Sequence, residues 1–446
     1  MSDSSTPKIK SHQKTQYFEL TAAVVIFAFT LRIAIGMGYL NNFDTSWNLM
    51  WAGDLQNGFF NAYTHVRQLD YPPLYLYLLK IVGMFTANTD INNFDPYRML
   101  AIKFFPILID SLTCFVLFKA GSRKSGAAGF ILAVLWAVNP AAIYNCAFWG
   151  QTDCVMIFAL LLTFYLLSKG TIDETAPRET ILGFDKKLLP AAIAFGLCMS
   201  LKFQCAYFAP IVFLEFIRRS GGFRRKQAYL RAILLTGASI AAFILAWLPF
   251  MIGAKSPLLP AVIYLEGAGT YPYITLHADN IYGLFNLNWV PEPTYLSVIS
   301  TALTAASLFA LVFVYVKFPR VNMYFAAALF MNCIFMLTTR QHERYQITIM
   351  IFLLMAYFSM KNAKLLLIYV TQSVVILINQ ARLLSRIHGN TIESEAVIQS
   401  VNSLINTALF AGMIIVFVIH TIHTAREGKA DGQLCTENGS HALHEA

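Results

Sequence analysis

Four segments of the sequence hold the side chains best suited to chemistry. Asn41-Asn42-Phe43-Asp44 sets a carboxylate just past the first apolar run. Leu69-Asp70-Tyr71-Pro72-Pro73-Leu74 joins an acid and an aromatic to paired prolines, which make a rigid turn able to start a helix at Pro73. Phe148-Trp149-Gly150-Gln151-Thr152-Asp153 places a glycine turn before an acid that opens another apolar run. Thr339-Arg340-Gln341-His342-Glu343-Arg344-Tyr345 crowds two arginines, a histidine and a glutamate at the edge of an apolar run, where such charges are costly unless paired or engaged. Two further segments support them. Leu201-Lys202-Phe203-Gln204 carries a lone cation at a turn. Tyr271-Pro272-Tyr273-Ile274-Thr275-Leu276-His277-Ala278-Asp279-Asn280 mixes aromatic and polar side chains, a mix that stacks on a sugar ring and hydrogen-bonds its hydroxyls.

Each segment also has a plainer reading. Asp44 suits an ordinary loop acid. Asp70 and Asp153 suit helix caps or dipole partners. Arg344 could snorkel beside Glu343, and the Tyr273 region could be an interfacial aromatic belt. Together, however, they supply carboxylates able to act as a base, cations able to hold a phosphate and aromatics able to face a sugar. Arginine in particular presents a fixed fork of donors to phosphate.

The elements that must position these groups are helices in a bilayer. Of 446 residues, 57% are hydrophobic and only 13% charged, against about 25% charged in soluble domains. Mean hydropathy is +0.56. Apolar runs recur along the chain, too long and too continuous for barrel strands, so the fold class expected is all-α and polytopic. Twelve spans are predicted, at 18–40, 99–119, 127–145, 152–168, 188–201, 204–217, 229–252, 296–316, 321–338, 346–360, 363–380 and 402–423. The run 73–87 is too short to span and is read as a surface helix on the outer side. The first run is too long for a signal peptide and reads as a retained helix.

The net charge of +9 sits in short loops, so it reads as a topology signal and not as a nucleic-acid surface. With twelve spans, Lys119, Arg123, Lys124, Lys169, Arg178, Lys186, Lys187, Arg218 to Lys226, Lys317, Arg320, Lys361 and Lys364 fall on one side with both termini. That side is predicted to be cytoplasmic. Long loops at about 41–98 and 253–295 and the chemistry-bearing turns then fall outside. The domain expectation is a tail at 1–17, a membrane domain at 18–424 and a disordered tail at 425–446. Seven scattered cysteines without a CxxC pair predict neither a disulfide framework nor a metal site.

The order of Asp44, Asp70-Tyr71-Pro72-Pro73, Trp149-Gly150-Gln151-Thr152-Asp153, Lys202-Phe203-Gln204 and His342-Glu343-Arg344-Tyr345 resembles the GT-C superfamily of lipid-phosphate-sugar-dependent glycosyltransferases. The nearest branches are bacterial relatives of the GPI mannosyltransferases and the endoplasmic-reticulum glucosyltransferases of N-glycan assembly. The resemblance implies a GT-C-type bundle with a long first outer loop carrying surface helices. It implies a polyprenyl- or dolichyl-phosphate hexose donor, mannose or glucose, and a glycan, polymer or protein acceptor. Asp44 would be the catalytic base of an inverting transfer. Arg344 would hold the donor phosphate, with Lys202, Arg340 or His342 as helpers. Asp70, Tyr71, Trp149, Gln151, Asp153, Gln204, Tyr273, His277, Glu343 and Tyr345 would bind sugar or shape the site, and Asp54 is a weaker second acid. Thr45 follows Asp44, which departs from the adjacent acidic pair of some members, so no obligatory metal or other cofactor is expected. The rival readings are a transporter or flippase of lipid-linked sugars, a non-catalytic scaffold and an outer-face polymer ligase. The short loops lean towards a bacterial plasma membrane over the endoplasmic reticulum.

Overall fold

The computed structural model describes residues 6–38, 44–86, 95–170, 180–181, 184–318, 320–387 and 395–442. Asn41-Asn42-Phe43, residues 87–94 of the first long loop, 171–179 (with Arg178) and 388–394 lie outside the described residues.

The chain is an all-α, multi-pass membrane protein. Among the described residues, six helices are long and apolar enough to cross a bilayer: Thr15–Gly38, Pro96–Gly121, Lys226–Gly253, Thr294–Lys317, Ala363–Arg386 and Glu395–Arg426. A seventh is possible if Gly126–Ala137 and Pro140–Trp149, bent by 50° at their junction, count as one span. The expectation of twelve is therefore corrected, and the parity argument that put both termini on one side falls with it.

The reason is physical. Asp153–Leu167, Leu189–Met199, Met323–Leu337 and Tyr345–Met360 are apolar but short. At 1.5 Å per residue, a 15-residue helix covers only about 22 Å of a hydrocarbon layer about 30 Å thick. Met323–Leu337 is also enclosed by protein along almost its whole length, as is Thr348–Ala356. Their apolarity serves a protein core. Thr294–Lys317 is the opposite case: only 17% of its apolar window is buried, so its side chains are left to lipid. Both kinds of helix read as apolar runs along the sequence.

Local chemistry sets the boundaries. Asp95 caps the helix that starts at Pro96, accepting from Arg98 N at 3.0 Å. Asn139 accepts from Ala142 N at 2.9 Å and Pro140 cannot extend the preceding helix, so the chain bends there. Arg32, fully buried in the first helix, fills the break. It donates to Ala137 O at 3.0 Å and to Asp110 Oδ2 at 2.6 Å, while Trp136 Nε1 donates to Asp110 Oδ1 at 3.1 Å. This staple was not read from the sequence.

The basic turns come together at one end of the bundle. Arg123 reaches Ser168, Lys124 reaches Phe358 O, Arg219 reaches Gly170 O and Arg218 reaches Val321 O. Residues 44–86 form a unit at the other end. Its helices Asp44–Asp54 and Pro73–Thr86 pack so closely that a Cβ on Gly83 would sit 1.9 Å from Ala52 O. Phe59 and Tyr63 fix the unit to Phe250 and Trp247 near the end of Lys226–Gly253, with ring centroids 5.2 and 5.5 Å apart.

Candidate active site

A cavity of about 1060 Å³ opens at the end of the bundle that carries the 44–86 unit. Asp44, at the N-terminus of Asp44–Asp54, lies in its wall. Trp149 Nε1 and Gln151 Nε2 both donate to Asp44 Oδ2, at 2.8 and 2.7 Å. Both donors sit on the sharp exit from a π-helical turn, Tyr144–Trp149, which Gly150 ends at φ 84°. A Cβ on Gly150 would also meet Lys103 and Thr45 at 3.0 Å, so glycine is required there twice over. Lys103 Nζ donates to Phe148 O at 2.9 Å and supports the same turn from behind.

Arg344 lies over the ring of Trp149, 5.7 Å from its centroid, and over Tyr345 at 5.6 Å. Its Nη1 donates to Glu343 Oε1 at 2.9 Å, and Asp153 Oδ2 is 4.0 Å from its Nε. That Nε is buried without a hydrogen-bond partner. Burial works against the charge, but Glu343, Asp44 and Asp153 outweigh it and keep the guanidinium protonated. Burial likewise pushes the Glu343 carboxyl up, yet His342 and Arg344 hold it at about 2. Burial lowers His342 against the pull of Glu343, whose Oε2 stands 3.7 Å from its Nδ1.

Lys202 and Asp153 are bonded to each other behind the wall, with side chains 8% and 1% exposed. Burial lowers Lys202, but Asp153 overcomes it and the ammonium is held. Asn145 donates to the other Asp153 oxygen at 3.3 Å. Asp70 opens into the cavity, and the protein around it raises its carboxyl despite Arg344 and Lys202. Tyr71 joins hydroxyls with Thr152 at 3.1 Å.

The segments 271–293 and 339–345 form the remaining wall. Thr275–Leu276 pairs in parallel with Gln341–His342. Arg340 is matched by Glu292, 2.7 Å from both Nε and Nη2. Tyr273 packs on Trp289 with centroids 5.0 Å apart. Beneath, Arg382 ties His277 O at 3.0 Å to the Asp279 carboxylate at 2.7 Å, and burial pushes Asp279 up to about 6.

The structure thus gathers Asp44, Asp70, Tyr71, Trp149, Gln151, His277, Arg340, His342, Glu343, Arg344 and Tyr345 on one cavity. Lys202, Asp153, Gln204, Tyr273 and Asp54 are not among its lining residues. Gln204 is buried, with neither side-chain polar atom bonded. The sequence reading missed Trp47, Asn48 and Trp51, which line the cavity from the Asp44 helix. Their spacing of three, four and seven from Asp44 was the available signal, because it selects one helix face. Asn48 is 5% exposed and its Oδ1 has no partner. Trp289 and Glu292 gave no comparable pattern. Among the described residues, no three His, Cys, Asp or Glu side chains meet as a metal-ligand set.

The cavity wall also includes apolar side chains, Leu308 of Thr294–Lys317 and Ile334 of Met323–Leu337. Thr294–Lys317 is the helix whose apolar window is only 17% buried.

Over residues 54–265, just under half of the chain, the sequence matches the family model described as GPI transamidase subunit PIG-U. No curated protein matches the chain. Among solved structures, it is similar to ArnT from Cupriavidus metallidurans bound to undecaprenyl phosphate. That similarity has a TM-score of 0.49 at 12% identity, covering 94% of this chain and 79% of that one.

Proposed function

We propose that the cavity is the active site of a membrane glycosyltransferase. It would move a hexose, mannose or glucose, from a polyprenyl- or dolichyl-phosphate carrier to an acceptor hydroxyl. The observation that carries this reading is the sharing of Trp149. The indole holds Asp44 through Nε1 at 2.8 Å and carries the Arg344 guanidinium on its face at 5.7 Å, which sets a base and a phosphate-binding cation side by side. The apolar lining at Leu308 and Ile334 supports a donor whose tail stays in the bilayer. The basic turns at the other end of the bundle support a site facing away from the cytoplasm.

In this mechanism Asp44 Oδ2 is held by its two donors and Oδ1 takes the proton of the acceptor hydroxyl. The acceptor oxygen attacks the anomeric carbon from the face opposite the phosphate. The carbon–oxygen bond to phosphate breaks, its electron pair stays on the leaving phosphate and the configuration inverts. Arg344 meets the charge that develops there. Lys202 neutralises the Asp153 carboxylate behind Arg344, which leaves the guanidinium charge available to the phosphate.

A second reading is favoured by the PIG-U match, which contains Asp70, Trp149, Asp153 and Lys202 but stops short of Asp44 and Arg344. The chain would then hold a lipid-linked glycan as a non-catalytic subunit. Proteoliposomes with a polyprenyl-phosphate [3H]hexose separate the readings. Label on an added acceptor supports the transferase. Label that crosses the bilayer on its carrier indicates a flippase. Bound donor with neither outcome favours the subunit.

A further inference from the structure

One patch of the cavity is built for something other than phosphate. Trp289 lines the cavity and is 44% exposed. Its Nε1 donates to His277 Nε2 at 2.8 Å. That bond leaves the imidazole proton on Nδ1, which makes Nδ1 a donor. Burial takes His277 down to about 4, so the ring is neutral at physiological pH. His277 is 4% exposed and Nδ1 has no hydrogen-bond partner. An unmet buried donor costs roughly 1–3 kcal/mol.

The backbone is strained at the same place. His277 and Trp289 have φ of 61° and 56°, and Arg340 beside them 59°. Side chains other than glycine adopt this region only where the surroundings impose it. Here Asn288 Oδ1 accepts from His277 N at 3.1 Å, and Trp289 N donates to Thr275 O at 3.0 Å. Tyr271, 40% exposed, meets Trp289 edge-on at 6.2 Å and His342 at 5.3 Å. The patch therefore offers exposed aromatic faces held from beneath by a buried histidine. Its two arginines are paired, Arg340 with Glu292 at 2.7 Å and Arg386 with Glu395 at 3.4 Å.

Resting on the transferase reading above, we propose that Trp289, Tyr271 and His277 form the acceptor subsite, and that the acceptor is a saccharide. A pyranose ring lies against the exposed face of Trp289, which His277 holds in place through the Nε1–Nε2 hydrogen bond. The donor's hexose is joined to its phosphate and stays beside Arg344 and Asp44, so the ring on Trp289 is a second sugar. A protein acceptor presented in extended or charged form would find no matching charge on this patch.

The test uses the full chain in lipid nanodiscs, titrated with methyl hexopyranosides and read by saturation-transfer NMR. The wild type binds, with transfer to the ring protons. Trp289→Ala raises Kd about tenfold, as expected for loss of one aromatic contact, and His277→Ala raises it by releasing the bond that fixes the Trp289 ring. An unchanged Kd in folded Trp289→Ala overturns the proposal. Should that variant not fold, wild-type protein carrying 5-fluorotryptophan answers instead. The Trp289 resonance, assigned with Trp289→Phe, shifts on adding glycoside, and an unmoved resonance overturns the proposal. A prenyl-phosphate hexose added at saturation leaves the glycoside bound. Its displacement would make this the donor's sugar site and would also overturn the proposal. Failure of hexose transfer in proteoliposomes would sink the transferase reading alone, because the binding results decide the subsite independently.

Discussion

Replacing Lys202 by Met removes the cation bonded to Asp153 and leaves a carboxylate that is 1% exposed. Losing one partner of a buried ion pair costs about 3–5 kcal/mol, chiefly because the other charge stays buried and unpaired. Arg344 stands 4.0 Å from the second Asp153 oxygen, and two charges at that distance attract by about 4 kcal/mol at an effective dielectric near 20. Arg344 therefore takes over part of the task, which puts the expected loss near 3 kcal/mol. Asp153→Asn alone leaves the Lys202 charge buried and costs a similar amount. The double variant Lys202→Met with Asp153→Asn buries no unpaired charge from this pair, so its loss is about 1 kcal/mol. Unfolding in mixed micelles, followed by tryptophan fluorescence, reads all four corners of this cycle. A coupling energy of several kcal/mol is expected. Single losses below about 1 kcal/mol, or a double loss equal to their sum, would refute the reasoning that the two residues act as one buried pair.

Two further predictions concern stability. Glu343 titrates at about 2 when folded against 4.5 as a free group. Its folded value lies below the unfolded one, so it contributes about 3 kcal/mol above pH 4.5, and that contribution is lost as pH falls through about 2. The stability gap between wild type and Glu343→Gln, measured from pH 7 downwards, stays constant to about pH 4.5 and then narrows; a gap that widens on acidification would contradict the assignment. Where Leu189–Met199 packs on Lys226–Gly253, a Cβ on Gly196 would sit 2.1 Å from Ser239 O, whereas one on Gly237 meets nothing within 4 Å. Gly196→Ala is expected to cost roughly 1–3 kcal/mol by overpacking, with Gly237→Ala neutral or slightly stabilising; thermal unfolding of both in one detergent checks the contrast.

The sequence showed which residues could meet, but not how the chain crosses the membrane. Asp44 lies 105 and 107 residues from Trp149 and Gln151, and their meeting was suggested by residue types at turns between apolar runs. Arg344 and Glu343 were visible for the same reason, because charges at the edge of an apolar run are conspicuous. Met323–Leu337 and Thr348–Met360 misled the reading because burial in protein and burial in lipid select the same side chains. Arg32 and Asp110 lie 78 residues apart inside apolar helices, and nothing local marks them as partners. Trp289 was hidden differently. Its place depends on a positive φ at a tryptophan and on a bond to His277, and neither leaves a spacing pattern. Asn48 was within reach, since one helical turn from Asp44 fixes its face.

The most direct measurement is the rate of hexose transfer by Asp44→Asn in proteoliposomes supplied with polyprenyl-phosphate hexose. Asparagine keeps the shape and the oxygen that Trp149 and Gln151 bond, but it cannot take a proton. Transfer should fall by about 10²–10⁴-fold with donor binding retained. Transfer at the wild-type rate would contradict the account.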